Sequence, residues 1–141
     1  MYQAFFHALE DSADGENLAL SHVIEKLSFN ESGLIPVITQ DAKSKEILML
    51  AWMNKASLEM TITTKRMTYW SRSRQQLWVK GETSGHTQAL VSMAFDCDGD
   101  TVLCQVDQLG AACHTGRKNC FYLNVGLESQ QVFIEGEASK I

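Results

Sequence analysis

Leu90-Val-Ser-Met-Ala-Phe-Asp-Cys-Asp-Gly-Asp-Thr-Val-Leu-Cys-Gln-Val-Asp-Gln108 is the stretch on which the fold turns. Leu90, Ser92, Ala94 and Asp96 alternate with Val91, Met93, Phe95 and Cys97, the two-residue period of a strand. Asp98-Gly-Asp100 is a turn signal, because Gly takes left-handed torsions and Asp bonds its own backbone. Alternation resumes over Thr101–Gln108, where Val102, Cys104 and Val106 share one face. Two such runs across a short turn predict strand, turn, strand.

Further strands lie outward from that pair. Met67–Ser71 and Leu77–Lys80 read as a strand pair across the polar Arg72–Gln76. Ile47 to Met53 is a continuous apolar run, as in a strand buried on both faces. Pro36 makes Leu34–Gln40 an edge strand or a strand start, since proline cannot donate to a ladder. Asn54 is placed to cap a short helix through about Thr64. Leu20, Val23, Ile24 and Leu27 form a helical stripe, with Ser12 or Asp14 as its caps. Gly110 to Lys118 reads as a loop and Phe121–Val125 as a strand. The expected class is α+β, mostly antiparallel strands with an N-terminal helix and one short internal helix.

The 141 residues suit one domain with a real core. A net charge of −5 argues against a general binder of nucleic acid or anionic membrane, both of which need a basic surface. A small phosphorylated ligand needs only a few local Lys and Arg. No apolar run approaches the roughly 18 residues of a membrane span. The apolar patch at Phe5 and Phe6 has no basic flank and is followed by Glu10, Asp11 and Asp14, unlike a signal peptide. The expected location is cytoplasmic.

All four cysteines, 97, 104, 113 and 120, lie in one segment, which in a reducing compartment points to a metal or to buried thiols. Cys97, Cys113 and Cys120 sit beside polar or turn residues, where a thiolate can face a metal. Their separations of fifteen and then six residues match no common zinc finger. Cys104 alternates with Val102 and Val106 and reads as a core thiol. His114 abuts Cys113 and is placed to ligate or to move protons. Asp96, Asp98 and Asp100, if extended, point to one side with Cys97 on the other. Such carboxylates repel unless a hard cation joins them. Thr101 and Asp107 occupy the positions where an EF-hand needs Gly and Glu, so that motif is excluded. A solvated acidic turn remains the plain alternative.

Longer motifs then accumulate. Tyr69-Trp-Ser-Arg-Ser-Arg74, Leu77-Trp-Val-Lys-Gly-Glu-Thr-Ser-Gly-His86, Asp96-Cys-Asp-Gly-Asp100, Ala112-Cys-His-Thr-Gly116 and Asn119-Cys-Phe121 occur in this order. Gly33-Leu-Ile-Pro36 and Leu48-Met-Leu-Ala-Trp-Met-Asn54 precede them. Together they resemble the phosphoribosyl-AMP cyclohydrolase family over roughly residues 26–125. The resemblance implies a single cyclohydrolase domain over 1–141, in the single-function form, with residues 1–25 as a helical extension outside the match. It also implies an intertwined homodimer. Zinc, one per subunit, falls to Cys97, Cys113 and Cys120, shared between subunits; magnesium, one per subunit, falls to Asp96, Asp98 and Asp100. Ala111 departs from the family, which usually has proline there.

The implied reaction is hydrolytic opening of the adenine ring of 1-(5-phosphoribosyl)-AMP by a zinc-activated water, the third step of histidine biosynthesis. Zinc lowers the pKa of its water toward ~7. His114 and then His86 are the expected proton carriers. Arg72, Arg74 and Lys80, with Arg117 and Lys118, are candidate phosphate anchors. Trp70 or Trp78 is a candidate stacking partner for the base. A zinc-dependent nucleotide deaminase and a non-catalytic protein with a structural zinc are the rivals. Chain geometry also favours a shared site. Seven steps of about 3.3 Å carry Gln108 about 23 Å from the turn, whereas five residues back to Cys113 span at most ~18 Å.

Overall fold

The computed structural model describes residues 4–139; residues 1–3 of the expected N-terminal extension, and residues 140–141, lie outside the described part. Helix α1 (Ala4–Ala8) runs into a 3-10 turn (Leu9–Asp11), and α2 spans Leu20–Lys26. Strands β1 (Ile35–Asp41) and β2 (Ile47–Met53) follow, then α3 (Lys55–Thr64). Strands β3 (Thr68–Ser71), β4 (Gln76–Val79), β5 (Gln88–Phe95), β6 (Val102–Gln108), β7 (Leu123–Gly126) and β8 (Gln131–Ile134) complete the order. The class is α+β with mostly antiparallel strands, as expected.

The main sheet has the order β2-β1-β6-β5. β5 and β6 pair antiparallel across the acidic turn, Phe95 opposite Val102 and Gln88 opposite Gln108. β1 joins β6 in parallel and β2 antiparallel. The inner strands carry the core: Val37, Thr39, Val102, Cys104 and Val106 are fully buried. Met53, Leu58, Met67 and Tyr69 close it from β2, α3 and β3.

Of the two alternatives for Pro36, edge strand or strand start, the second holds, and its strand is an inner one. Proline is tolerated because Pro36 lies at the start of β1, before pairing with β6 begins at Val37. The expectation that Ile47–Met53 is buried on both faces is corrected: it is an edge strand, and Ile47 and Leu50 remain 42% and 49% exposed.

The helices follow local chemistry. The Asn54 side chain accepts from the Ser57 backbone N–H at 2.8 Å, and Ser57 Oγ accepts from the Asn54 N–H at 2.9 Å, a reciprocal cap. Thr61 Oγ1 donates to Ser57 O and accepts from the Thr68 N–H, fastening α3 to β3. Helix α2 begins after Ala19 with no side-chain cap, so neither Ser12 nor Asp14 serves it.

Candidate active site

The loop after β6 carries two of the candidate thiols, and two glycines shape it. A Cβ at Gly110 would lie 2.6 Å from His86 Cδ2, and one at Gly116 would lie 2.1 Å from the Ser139 carbonyl oxygen. Both take positive φ, +76° and +87°. Only glycine lets the loop approach His86 on one side and the chain near Ser139 on the other. Within the loop the Cys113 N–H donates to Arg117 O and the Gly116 N–H to Cys113 O. The Cys120 N–H donates to Leu48 O at 2.7 Å, anchoring the second thiol to β2. Asn119 adds a side-chain bond to Glu46, which also pairs with Lys118 at 3.3 Å.

Cys113 and Cys120 are hydrogen-bonding neighbours in opposite electrostatic states. Burial works against a Cys113 thiolate. It is outweighed by the Thr115 hydroxyl, which donates to Cys113 Sγ at 3.1 Å, by the Thr115 backbone, by Cys120 and by Lys80. The Cys113 thiol therefore ionises below its ordinary value. Cys120 is a surface residue whose sulfur is partly shielded, and desolvation together with the Cys113 charge pushes it up to about 11. One thiolate is thus prepared, and its neighbour loses its proton readily only when a cation compensates the second charge.

Cys113 lines a cleft of about 340 Å³ together with Arg74, Trp78, Lys80, His86 and His114, among others. The structure thus brings together six residues singled out in the sequence. His114 is exposed at the rim and His86 half-buried. Lys80 is held by the Ala112 carbonyl, with its Nζ 5.3 Å from the Trp78 ring centroid. Burial lowers its pKa, opposed by the Cys120 and Cys113 charges. Arg72 and Trp70 do not line the cleft: Arg72 stacks 4.9 Å over Trp52, and Trp70 is half-buried on β3. Arg117 stacks over Tyr122 at 4.1 Å, beside the loop rather than in the cleft.

The aspartates form the turn that Asp98-Gly-Asp100 signalled, and Asp96 is drawn into it. Asp96 Oδ1 accepts from the N–H groups of Asp100 and Thr101 at 2.9 and 3.1 Å, and its carbonyl accepts from Gly99 at 3.0 Å. The chain curls so that one carboxylate oxygen from each of Asp96, Asp98 and Asp100 lies within 4.8 Å of the others. Asp100 is raised above the ordinary carboxylate value by its hydrogen bond with Asp96, by desolvation and by the charges of Asp96 and Asp98. Gathered like charges of this kind fit a hard cation with oxygen ligands.

Cys97 is exposed beside this turn. Among the described residues the aspartates are the one trio of ligand atoms gathered this closely, so Cys97 does not join Cys113 and Cys120 within the chain. The seven residues of β6 separate the turn from the thiol loop, roughly 20 Å of extended chain. Cys104 is fully buried in β6, as its alternation indicated. Thr115 was missed in the sequence. Its signal was a hydroxyl two residues beyond a candidate thiolate, within reach of a local bond.

The sequence was also compared with known proteins. Residues 49–122 match the model of the family described as phosphoribosyl-AMP cyclohydrolase. A protein of that name from Roseobacter denitrificans is 60% identical over 101 residues, covering 72% of this chain and 79% of that one. One from Chromohalobacter salexigens is 50% identical over 127 residues, 90% of this chain and 87% of its own. One from Hydrogenovibrio crunogenus is 52% identical over 120 residues, 85% and 82% of the two.

Proposed function

This chain belongs to the phosphoribosyl-AMP cyclohydrolase family, and we propose that its active site is assembled between two copies of the chain. The activity is that of a hydrolase of histidine biosynthesis, acting on phosphoribosyl-AMP. In the proposed dimer the Cys113–Cys120 pair and the His86–His114 cleft of one subunit meet the partner subunit's Cys97 and acidic turn.

One observation carries this arrangement: Cys113 lines the cleft with Cys120 as its neighbour, while Cys97 lies apart from them beside the aspartates. The surface supports it too. The β7–β8 hairpin exposes Leu123, Val125, Val132, Phe133 and Ile134, each more than half accessible. A clustered apolar surface of this kind marks an interface.

The donor sets suit two different ions. Three sulfurs, one already biased toward thiolate, suit zinc, and three gathered carboxylates suit magnesium. Zinc supplies a Lewis acid that makes water nucleophilic near neutral pH, and magnesium supplies positive charge for substrate phosphate. The chain's own residues do the rest. His114, exposed beside Cys113, is the first proton carrier, and His86, packed on Gly110, the second. Arg74 offers an exposed guanidinium to a phosphate group. Lys80 holds the thiol loop through Ala112 and adds positive charge near both sulfurs. Trp78, flanked by Tyr69 at 5.4 Å and by Lys80, walls the cleft.

No helix among the described residues is long and apolar enough to cross a membrane. Reduced thiols as ligands suit the cytoplasm, where we place the enzyme. The direct test is to incubate the protein with phosphoribosyl-AMP, zinc and magnesium and to follow absorbance. Ring opening without ammonia release is expected; release of ammonia, or no turnover, contradicts this reading.

A further inference from the structure

We propose that Phe6 is a positioning residue for the acidic turn: helix α1 packs the Phe6 ring on Gly99 and so holds three carboxylates in a cation-binding arrangement. The proposal rests on the reading that Asp96, Asp98 and Asp100 bind a divalent cation. It concerns a segment that lies before the stretch, residues 49–122, that the family model matches.

Gly99 is buried although its acidic neighbours are exposed or half-exposed, and its φ is +65°. A Cβ there would fall 2.2 Å from Phe6 Cε2 and 2.3 Å from Cζ. The ring edge therefore occupies the space that a side chain at position 99 would need. Phe6 is itself only 5% exposed and belongs to the core that includes Ile24 and Leu27, so the ring cannot move aside freely. On its carbonyl side Gly99 accepts from the Ser28 N–H at 2.8 Å. Gly99 is thus held from two directions, both by residues N-terminal to β1. Phe6 and Leu9 also line an apolar pocket that includes Phe95, Asp96 and Cys97.

Holding the turn requires an outside contact. The bonds inside it all converge on Asp96, through its N–H, its Oδ1 and its carbonyl. None of them fixes Asp98, and the three gathered charges repel. Gly99 lies between Asp98 and Asp100, so a shift of its Cα displaces both carboxylates at once. Magnesium demands near-ideal octahedral geometry and tolerates such displacement poorly.

The test uses the full-length, zinc-loaded protein and Mn2+ as probe, with free Mn2+ read by its electron paramagnetic resonance signal. The unmodified protein should bind a Mn2+ that Asp98→Asn abolishes. Phe6→Ala should weaken that binding about tenfold, the scale of outer-shell substitutions at metal sites, and Phe6→Leu about threefold. Zinc content should not change. Phe5→Ala is the structural control: the Phe5 ring packs 5.0 Å from Phe6 and 5.3 Å from His22, away from Gly99. It should lower thermal stability and leave the Mn2+ affinity intact. Wild-type affinity in Phe6→Ala, or an equal loss in Phe5→Ala, overturns the proposal. If Phe6→Ala does not fold, Phe6→Leu decides, and unchanged affinity there overturns it. If no Mn2+ site disappears in Asp98→Asn, the reading of the turn itself fails and the proposal falls with it. That outcome is distinct from an Asp98-dependent site indifferent to Phe6.

Discussion

Cys104 and Cys113 carry the same side chain in opposite surroundings. Cys104 is enclosed by apolar neighbours, and burial pushes its thiol up to about 12. Cys113 has a hydroxyl donor and a nearby ammonium that favour the thiolate. Cys113→Ser should lose zinc, measured by metal analysis, and lower activity by at least about 100-fold, since the metal supplies the nucleophile. Cys104→Ser should keep both and lose about 1–3 kcal/mol of stability, the cost of a buried hydroxyl without a partner. Full activity in Cys113→Ser contradicts the assignment. Asp100 supplies a pH signature. Its folded pKa lies above its unfolded value, so its contribution to stability is present at low pH and lost as pH rises through the folded value. Nuclear magnetic resonance titration of the metal-free protein should place the Asp100 midpoint above the ordinary ~3.9. Added Mg2+ should bring it below that value, because a bound cation favours the charged form. The surroundings of these residues were legible where chemistry is local: Cys104 through alternation, Cys113 through its polar neighbours. Phe6 was not, because its partner Gly99 lies 93 positions away and no local pattern joins them.

At the scale of elements, local rules succeeded where the signal lay within a few residues. Asn54 is such a case, since the cap and its Ser57 partner are three positions apart. Asn54→Ala should cost about 1 kcal/mol in denaturant unfolding while kcat stays unchanged. A loss of activity at unchanged stability contradicts a purely structural cap. The β5–β6 pair was legible for the same reason, its two alternating runs flanking one turn. Strand position was not. Ile47–Met53 lies at an edge rather than inside, because the order of strands is set by tertiary pairing rather than by composition. The apolar surface of β2 left in solvent is what its sequence offered as evidence of burial. The β8 strand escaped notice because Gln131–Ile134 is short and its partner β7 leaves it fully exposed. The Asp98-Gly-Asp100 turn was legible from its own residues, and the Asp96 side chain closes it by capturing two backbone N–H groups.

At the scale of the molecule, the Cys113–Cys120 pair and the acidic turn with Cys97 are separated by the length of β6, and an apolar hairpin is turned to solvent. Both features are accounted for if a second copy brings its Cys97 and acidic turn to the first copy's thiol pair. Chain length already disfavoured closing the site within one chain, since β6 carries Gln108 farther from the turn than the return to Cys113 spans. Complementation between Cys97→Ser and Cys113→Ser, each inactive alone, tests this most directly. The two variants are unfolded together, refolded in equal amounts and assayed with phosphoribosyl-AMP. In a mixed dimer one site carries both lesions and the other carries none. Random pairing makes half of the dimers mixed, so about a quarter of wild-type activity should return. If each site lies within one chain, every site keeps a lesion and the mixture stays inactive.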